Sequence, residues 1–344
     1  MRARVERAEA AADALDGGAV RVHAAAHEVA QGLLDRPRTL PTRFLYDARG
    51  AKLFERITHL EEYYLTRAEF EILERHTVEV ARALGADAGI VEFGSGSGRK
   101  TWNLLEALDR PAAYLPVDIS HEQLEAFAER VRARFPGLAV RPVAADYTRL
   151  DALPWPPREV DRTLAFFPGS TIGNFEPDAA RAFVERVGAM TGAGALFLVG
   201  VDLVKDEEVL ERAYNDGEGV TAAFNRNLLR HLNDAVGTDF IPELFEHRAV
   251  WNPEASRIEM HLVPRSPTTV HVPGGGPGGS GVRVRLEAGE VIVTEHSYKF
   301  SIDSFQTLAS RAGYEPLEVW LDGGEQFSVH LLRRRPDEED IAKA

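Results

Sequence analysis

Ile90-Val91-Glu92-Phe93-Gly94-Ser95-Gly96-Ser97-Gly98-Arg99-Lys100-Thr101 runs from an apolar, strand-like segment through an acid and a glycine-rich turn into helix-forming residues. Glycines permit positive φ and close backbone approach, and the helix that follows presents unpaired N–H groups at its start. A strand, turn and helix in this order cradle a nucleoside cofactor. The spacing is G-x-G-x-G, with Arg99 where the third glycine of G-x-G-x-x-G would stand, and no pyrophosphate site is evident. A nucleoside without a diphosphate fits better. S-adenosylmethionine, leaving as S-adenosylhomocysteine, is therefore the expected cofactor, with Gly94, Ser95 and Gly96 against it; the competing reading of the motif alone is a tight turn.

Outward from this stretch, strand and helix signals alternate. Gly89 to Phe93 is a first strand, Lys100 to Leu108 the helix after it, and Ala113 to Val117 a second strand ending at Asp118. A helix from His121 to Phe135 carries Leu124, Phe127, Ala128 and Val131 on one face. Leu138 to Val143 reads as a third strand ending near Asp146, Thr163 to Phe167 as a fourth, and Ala195 to Val199 as a fifth running into Asp202. This alternation predicts a doubly wound parallel α/β sheet with its ligand at the carboxyl ends of the strands. Toward the C-terminus, Ser304 to Ala312 reads as a helix, and Glu315 to Leu321 and Phe327 to Leu332 as strands joined by the turn Asp322-Gly323-Gly324-Glu325. A parallel sheet closed by an antiparallel hairpin resembles the class I methyltransferase (Rossmann-like) architecture.

On that reading, 68–205 and 300–335 form the cofactor-binding domain, 8–67 and 206–299 form a second, α+β substrate domain, and 336–344 is an acidic tail. Inside the insertion, Pro273 to Gly281 (PGGGPGGSG) lies between the strand-like runs Arg257 to Val263 and Val282 to Leu286. It reads as a flexible hairpin tip. Its prolines remove donors and no helix follows, which argues against a phosphate cradle.

The formal net charge of −14 over 344 residues repels a phosphate backbone and speaks against nucleic acid as a partner. Arg333-Arg334-Arg335 runs directly into Pro336-Asp337-Glu338-Glu339-Asp340 and reads as a solvated tail. With no cysteine, disulfides, thiolate metal sites and cysteine nucleophiles are excluded, which suits a reducing compartment. No metal is expected. The Ala/Glu/Arg-rich start has no apolar core of a signal sequence, and no apolar run approaches the ~20 residues of a membrane span. The expectation is a cytoplasmic protein without a membrane partner, taken as a monomer, that acts on a small molecule.

Three acids fall at strand ends: Glu92, Asp118 and Asp146. A carboxylate about 20 residues beyond the glycines can accept from ribose hydroxyls, and Asp118 stands there, with Ser120 left to cap the next helix. Asp146 could accept from an adenine amino group beside the aromatic edge of Tyr147, or simply cap a helix. Lys100, in the first turn after the glycines, reads either as a partner for a cofactor carboxylate or as a solvated helix residue.

Seven ordered segments complete the pattern: Phe44 to Gly50 (FLYDARG), Glu62 to Arg67 (EYYLTR), Gly169 to Asn174 (GSTIGN), Asp202 to Asp206 (DLVKD), Tyr214 to Asn227 (YNDGEGVTAAFNRN), Arg257 to Met260 (RIEM) and Thr294 to Phe300 (TEHSYKF). From about Leu40 to Leu332 the chain resembles the histidine N-alpha-methyltransferases of ergothioneine biosynthesis. The resemblance implies three successive methyl transfers from S-adenosylmethionine to the α-amino group of L-histidine, giving the betaine hercynine. It implies that Glu295 and Ser297 grip the imidazole nitrogens and that Tyr46, Tyr63 and Met260 line the pocket. Asn174 and Tyr214, the candidate catalytic residues, would hold the α-carboxylate and orient the amine. Two apart on a strand, Glu295 and Ser297 face one side while His296 faces the other. Read without the resemblance, Tyr63 and Met260 are ordinary core residues.

Departures from the family pattern accompany the match. Ser97-Gly98-Arg99-Lys100 stands where Thr-Ser-Glu-Lys is common, Glu61 and Leu65 where prolines are usual, and Tyr298 where a small residue is frequent. Competing readings are methylation of another aromatic amino acid such as a tryptophan derivative, a noncatalytic cofactor-binding protein and, more remotely, an oxidoreductase.

Overall fold

The structure is a computed structural model that describes residues 22–336, apart from Ser97 and the side chain of Arg99. The expected acidic tail beyond Pro336 and the first residues of the expected substrate domain, 8–21, lie outside the described residues. In chain order the elements begin with a helix over 22–34 (α1), then β1 (Arg38–Thr39), α2 (Ala48–Ile57), α3 (Leu65–Leu84), β2 (Gly89–Phe93) and α4 (Arg99–Ala107). There follow β3 (Ala113–Asp118), α5 (His121–Arg134), β4 (Ala139–Val140), β5 (Val143–Ala144), β6 (Thr163–Phe167), α6 (Pro177–Thr191), β7 (Leu196–Asp202), α7 (Glu207–Tyr214) and α8 (Val220–Val236). The remainder is β8 (Phe245–Asn252), β9 (Arg257–Pro264), β10 (Thr268–Val272), β11 (Val282–Leu286), β12 (Ile292–Tyr298), α9 (Ile302–Arg311), β13 (Tyr314–Leu321) and β14 (Phe327–Arg334). Among the described residues no helix is long and apolar enough to cross a membrane.

The chain divides into two compact units. A sheet unit holds 58–213, 251–258 and the chain from 296; a companion unit holds the chain up to 57, 214–250 and 259–295. The expected boundaries stood at 67/68, 205/206 and 299/300. The stretch 58–67 goes with the sheet because Arg67 ties its turn together and Tyr64 bonds Asp202. Residues 296–299 do so because Lys299 bonds Ser256 through its N–H and Asp202 through its ammonium.

The sheet unit contains an 8-stranded sheet in the order β13-β14-β7-β6-β2-β3-β4, with β5 also paired to β3. Strands β4, β5, β3, β2, β6 and β7 run parallel, and β14 is antiparallel to both β7 and β13. This is the class I methyltransferase sheet with its terminal hairpin. Every residue of β2 and β7 is buried, the condition in which parallel strands become continuous apolar runs. Phe93, Phe167 and Phe183 build the core on one face, with the Phe167 and Phe183 rings 4.8 Å apart. The single third strand expected over Leu138 to Val143 is instead the short pair β4 and β5. Pro142 lies between them and has no N–H to give to the ladder.

The companion unit is α+β. Its sheet order is β1-β12-β9-β8, with β1 parallel to β12, and β10 and β11 form a separate antiparallel hairpin. Buried Arg38 ties three segments together, bonding Glu290 at 2.7 Å, the Arg285 carbonyl at 3.2 Å and the Leu33 carbonyl. Helix α8 packs on α2, and the turn before α2 adds an edge contact between Phe44 and His231 at 5.1 Å. Two expectations about the glycine-rich segment change. The strand that precedes it is β10, overlooked because Thr268-Thr269-Val270-His271-Val272 is short and half polar; nor is the tip loose at its base. Gly275 is buried so tightly that a Cβ there would lie 2.6 Å from Ala30 Cβ on α1.

Glu92 sits in the middle of the parallel sheet. Its carboxylate accepts from Thr101 Oγ1 of α4 at 2.6 Å and from the Tyr114 hydroxyl of β3. Burial pushes its pKa up to about 7, against the lowering effect of those two donors. A folded-state pKa above the ordinary carboxylate value stabilises the fold while the group is protonated, and that contribution is lost as pH rises through about 7. Relative to Glu92→Gln, the wild-type protein should therefore lose about 2–3 kcal/mol of unfolding free energy between pH 5 and pH 8. Urea unfolding at the two pH values measures it, and a difference independent of pH would show that Glu92 does not titrate in this range.

Candidate active site

The glycine turn brings together most of the residues expected at the cofactor. Gly94 N–H donates to the Val117 carbonyl at 2.8 Å, which sets the turn against the end of β3. Gly96 N–H then reaches Asp118 Oδ2 at 3.0 Å. Gly94, Gly96 and Gly98 all have positive φ, but for different reasons. A Cβ on Gly98 would lie 2.0 Å from the Phe127 ring, whereas Gly96 has nothing within 4 Å and leaves open space beside the backbone. Ser95 is buried, and its hydroxyl has no hydrogen-bond partner among the described residues. An orphaned buried hydroxyl next to an open glycine is what a polar ligand would satisfy, so this turn fits a nucleoside cofactor. Tyr147 lies beneath Gly94, with Cε1 3.8 Å from where a Cβ would be, and its ring meets Phe93, Phe167 and Phe183 edge-on. Burial raises the Tyr147 pKa and keeps the hydroxyl neutral.

Other expectations here are altered. Ser120 makes no side-chain cap on α5; its N–H instead donates to Asp118 Oδ1 at 2.9 Å. Asp118 thus holds both the glycine turn and the start of α5, and a carboxylate with about four lone-pair sites can still accept from a ligand. Asp146 caps its own short turn, taking the Thr148 N–H at 3.0 Å and hydroxyl at 2.6 Å through Oδ1. Lys100 does not stand in solvent. Its ammonium is paired with Glu69, a buried acid the sequence reading missed, which also takes the Gly169 N–H at 2.9 Å on each oxygen.

Three expected substrate residues of the sheet unit depend on Asp202. This completely buried carboxylate, at the end of β7, accepts from the Tyr64 hydroxyl at 2.8 and 2.9 Å, from Lys205 at 2.7 Å and from Lys299 at 2.7 Å. Tyr64 adjoins Tyr63. The Lys299 ammonium also donates to Ser297 Oγ at 2.9 Å. The Asp202 backbone N–H donates to Ser170 Oγ at 2.9 Å, fixing the left-handed residue that opens the turn to Asn174. Burial alone would raise the Asp202 pKa, but Lys299 and Lys205 outweigh it and hold the group below the ordinary carboxylate value. Burial brings Lys205 down to about 8 in spite of Asp202. The loop carrying Glu61 is held by Arg67, which donates to the Leu60, Glu61 and Tyr63 carbonyls at 2.7, 2.6 and 3.3 Å.

Four more expected residues gather in the companion unit. The Tyr46 hydroxyl lies 3.5 Å from Glu295 Oε2, at the outer limit of a hydrogen bond, while its ring packs edge-on against Phe54 and Phe224. The single proton of the Thr294 hydroxyl, beside Glu295, is shared between Asn225 Oδ1 at 2.6 Å and the Met260 carbonyl at 3.0 Å. The Asn225 amide in turn faces His247 Nδ1 at 2.9 Å, and His247 Nε2 meets the Tyr214 carbonyl at 2.8 Å. An amide donor on Nδ1 fixes the neutral tautomer that carries its proton on Nε2. Burial agrees, lowering the His247 pKa. One buried chain thus links Glu295, Met260 and Tyr214, although neither Asn225 nor His247 was singled out in the sequence. On β12, Glu295 and Ser297 are buried and alternate with half-buried His296, which turns to Glu176 at 2.6 Å.

The family profile described as histidine-specific, SAM-dependent methyltransferase matches residues 25–334. The chain belongs to this family. Relatives include histidine N-alpha-methyltransferases from Mycolicibacterium smegmatis, 37% identical, and Mycobacterium tuberculosis, 38% identical; each match covers 89% of this chain and 94% of the relative. The ergothioneine biosynthesis protein 1 of Neurospora crassa is 36% identical over 87% of this chain and 34% of its own length. For this member of the histidine-specific methyltransferases, the matched region takes in both units.

Removing the charge of Asp202 would leave Lys299 buried without its counter-ion. Asp202→Asn is expected to cost about 3–5 kcal/mol of unfolding free energy. Denaturant titration checks this, and a loss below about 1 kcal/mol would show that the network does not stabilise the fold.

Proposed function

We propose that the protein transfers methyl groups from S-adenosylmethionine to the α-amino group of L-histidine, forming N-alpha-trimethylhistidine (hercynine) for ergothioneine biosynthesis. The observation that carries the reading is the pair of buried polar residues on β12, Glu295 and Ser297, in a chain of the histidine-specific family. An acid and a hydroxyl on one strand face can take the two nitrogens of an imidazole, whereas an indole offers a single N–H. This favours histidine over a tryptophan derivative.

In this proposal Asp118 takes the cofactor ribose, Asp146 with Tyr147 the adenine, and Gly94, Ser95 and Gly96 the chain side of the nucleoside. Lys100, already neutralised by Glu69, keeps the turn in place and has further N–H donors for a carboxylate. The bound cofactor supplies a methyl carbon already activated by its positive sulfonium. Alignment is left to the protein, which must hold the amine nitrogen roughly 3–3.5 Å from the reacting carbon with its lone pair directed there. Asn174 and Tyr214 hold the α-carboxylate and orient the amine, and Tyr46, Tyr63 and Met260 line the pocket. An ammonium has no lone pair, so the substrate reacts as the neutral amine and solvent can remove the proton between transfers. Tyrosine faces suit the growing cationic head group. The same reading takes the protein as a cytoplasmic monomer.

Incubation with cofactor and a panel of amino acids, followed by mass spectrometry, should show mono-, di- and trimethylated histidine and no change in tryptophan. Failure to methylate histidine would overturn the reading. Glu295→Ala combined with Ser297→Ala should weaken histidine binding at least tenfold, the loss expected of about two hydrogen bonds, and leave cofactor affinity unchanged. Unaltered histidine affinity in calorimetry would remove these residues from the imidazole site.

A further inference from the structure

Glu176 stands at the start of α6, two residues after Asn174, in the position from which a side chain ordinarily caps a helix. It makes no cap bond. Its carboxylate turns instead to the end of β12, accepting from the Tyr298 hydroxyl at 2.5 Å, with His296 Nδ1 at 2.6 Å and Arg257 at 3.5 Å. The Arg257 guanidinium also donates to the Tyr298 hydroxyl at 2.5 Å and lies over its ring, 5.3 Å from the centroid. The same two segments pass close together at the backbone, where a Cβ on Gly173 would lie 2.6 Å from the Tyr298 carbonyl oxygen. On the other side of Asn174, Phe175 stacks on Phe183 at 5.2 Å. The turn carrying Asn174 is therefore held on both sides, and the side-chain part of that hold passes through Tyr298.

We propose that Glu176 and Tyr298 form a positioning clamp that fixes the Asn174 amide for the α-carboxylate of the substrate. Neither is a catalytic residue; each acts through Asn174. The inference rests on the reading of Asn174 as a substrate ligand given above. Tyr298 is buried, but the Glu176 side chain that it meets is 57% accessible to solvent. Exposed charge pairs are individually weak, so a moderate effect specific to the substrate is expected.

Tyr298→Phe and, separately, Glu176→Ala should weaken histidine binding about threefold to tenfold, measured by calorimetry in the presence of S-adenosylhomocysteine. Affinity for S-adenosylhomocysteine itself should not change. Histamine, which keeps the imidazole and lacks the carboxylate, should bind both variants as it binds the wild type. In an Asn174→Ala background the same two substitutions should change histidine affinity less than about 1.5-fold, because the cycle isolates the coupling to Asn174. Backbone amides of 171–176 should exchange hydrogen faster in Tyr298→Phe. Unchanged histidine affinity, an equal loss in the Asn174→Ala background, an equal loss for histamine, or unchanged exchange would each overturn the clamp. If the wild-type protein fails to methylate histidine, the functional reading falls instead, and the exchange measurement still decides whether the clamp holds the turn.

Discussion

A single buried carboxylate organises the sheet unit. Asp202 ends β7 inside a parallel sheet, and its negative charge is tolerable there because two lysines and a tyrosine hydroxyl surround it. Each partner belongs to a different part of the chain: Tyr64 precedes α3, Lys205 follows β7, and Lys299 follows β12. The strand end therefore sets the position of three loops at once. Its own N–H adds a fourth through Ser170. Electrostatic compensation of one ion thus does the work that a network of separate apolar contacts would otherwise share.

The companion unit shows the same economy through side chains that bond the backbone and one another. The motif from Tyr214 to Asn227 is largely backbone hardware. Asn215 clamps Ala249 through both its amide atoms, Asp216 takes the N–H groups of Val220 and Thr221 at the start of α8, and Asn227 meets Asp47, which also caps α2 through Gly50. Asn225 continues the chain to Thr294 and His247. Asn215, Asp216, Asn225 and Asn227 can be specific without touching a ligand, because each bonds a group that a side chain of different shape would not match.

The parallel sheet was legible because buried strands are written as apolar runs and the glycine turn marks the first of them. The terminal hairpin was legible from Asp322 to Glu325. Pairings between distant charges were not. Glu69 with Lys100, Asp202 with Lys299 and Glu176 with Arg257 lie far apart in sequence, and no periodicity links an acid to a base that only the fold brings near. Local rules also compete: Asp146 reads equally well as a ligand and as a cap, Asp118 reads first as a ribose ligand, and each makes backbone or hydroxyl bonds that account for part of its capacity. Lys100 looked solvated or ligand-bound because its partner was invisible. The Glu295 and Ser297 alternation was readable from strand period two, whereas the Asn225 and His247 chain behind it is purely tertiary.

The order of the strands has a consequence for synthesis of the chain. Strand β7 ends at Asp202, yet the neighbour that covers its edge, β14, begins at Phe327. As the polypeptide leaves the ribosome, an apolar, fully buried-type strand must wait with one row of N–H and C=O groups unpaired while the companion unit's two later segments, 214–250 and 259–295, emerge. An open strand edge is a template for pairing with other chains, and contacts distant in sequence form slowly. The nascent protein is therefore most vulnerable to aggregation in that interval, and the arrival of β14 rather than the formation of the glycine turn ends it.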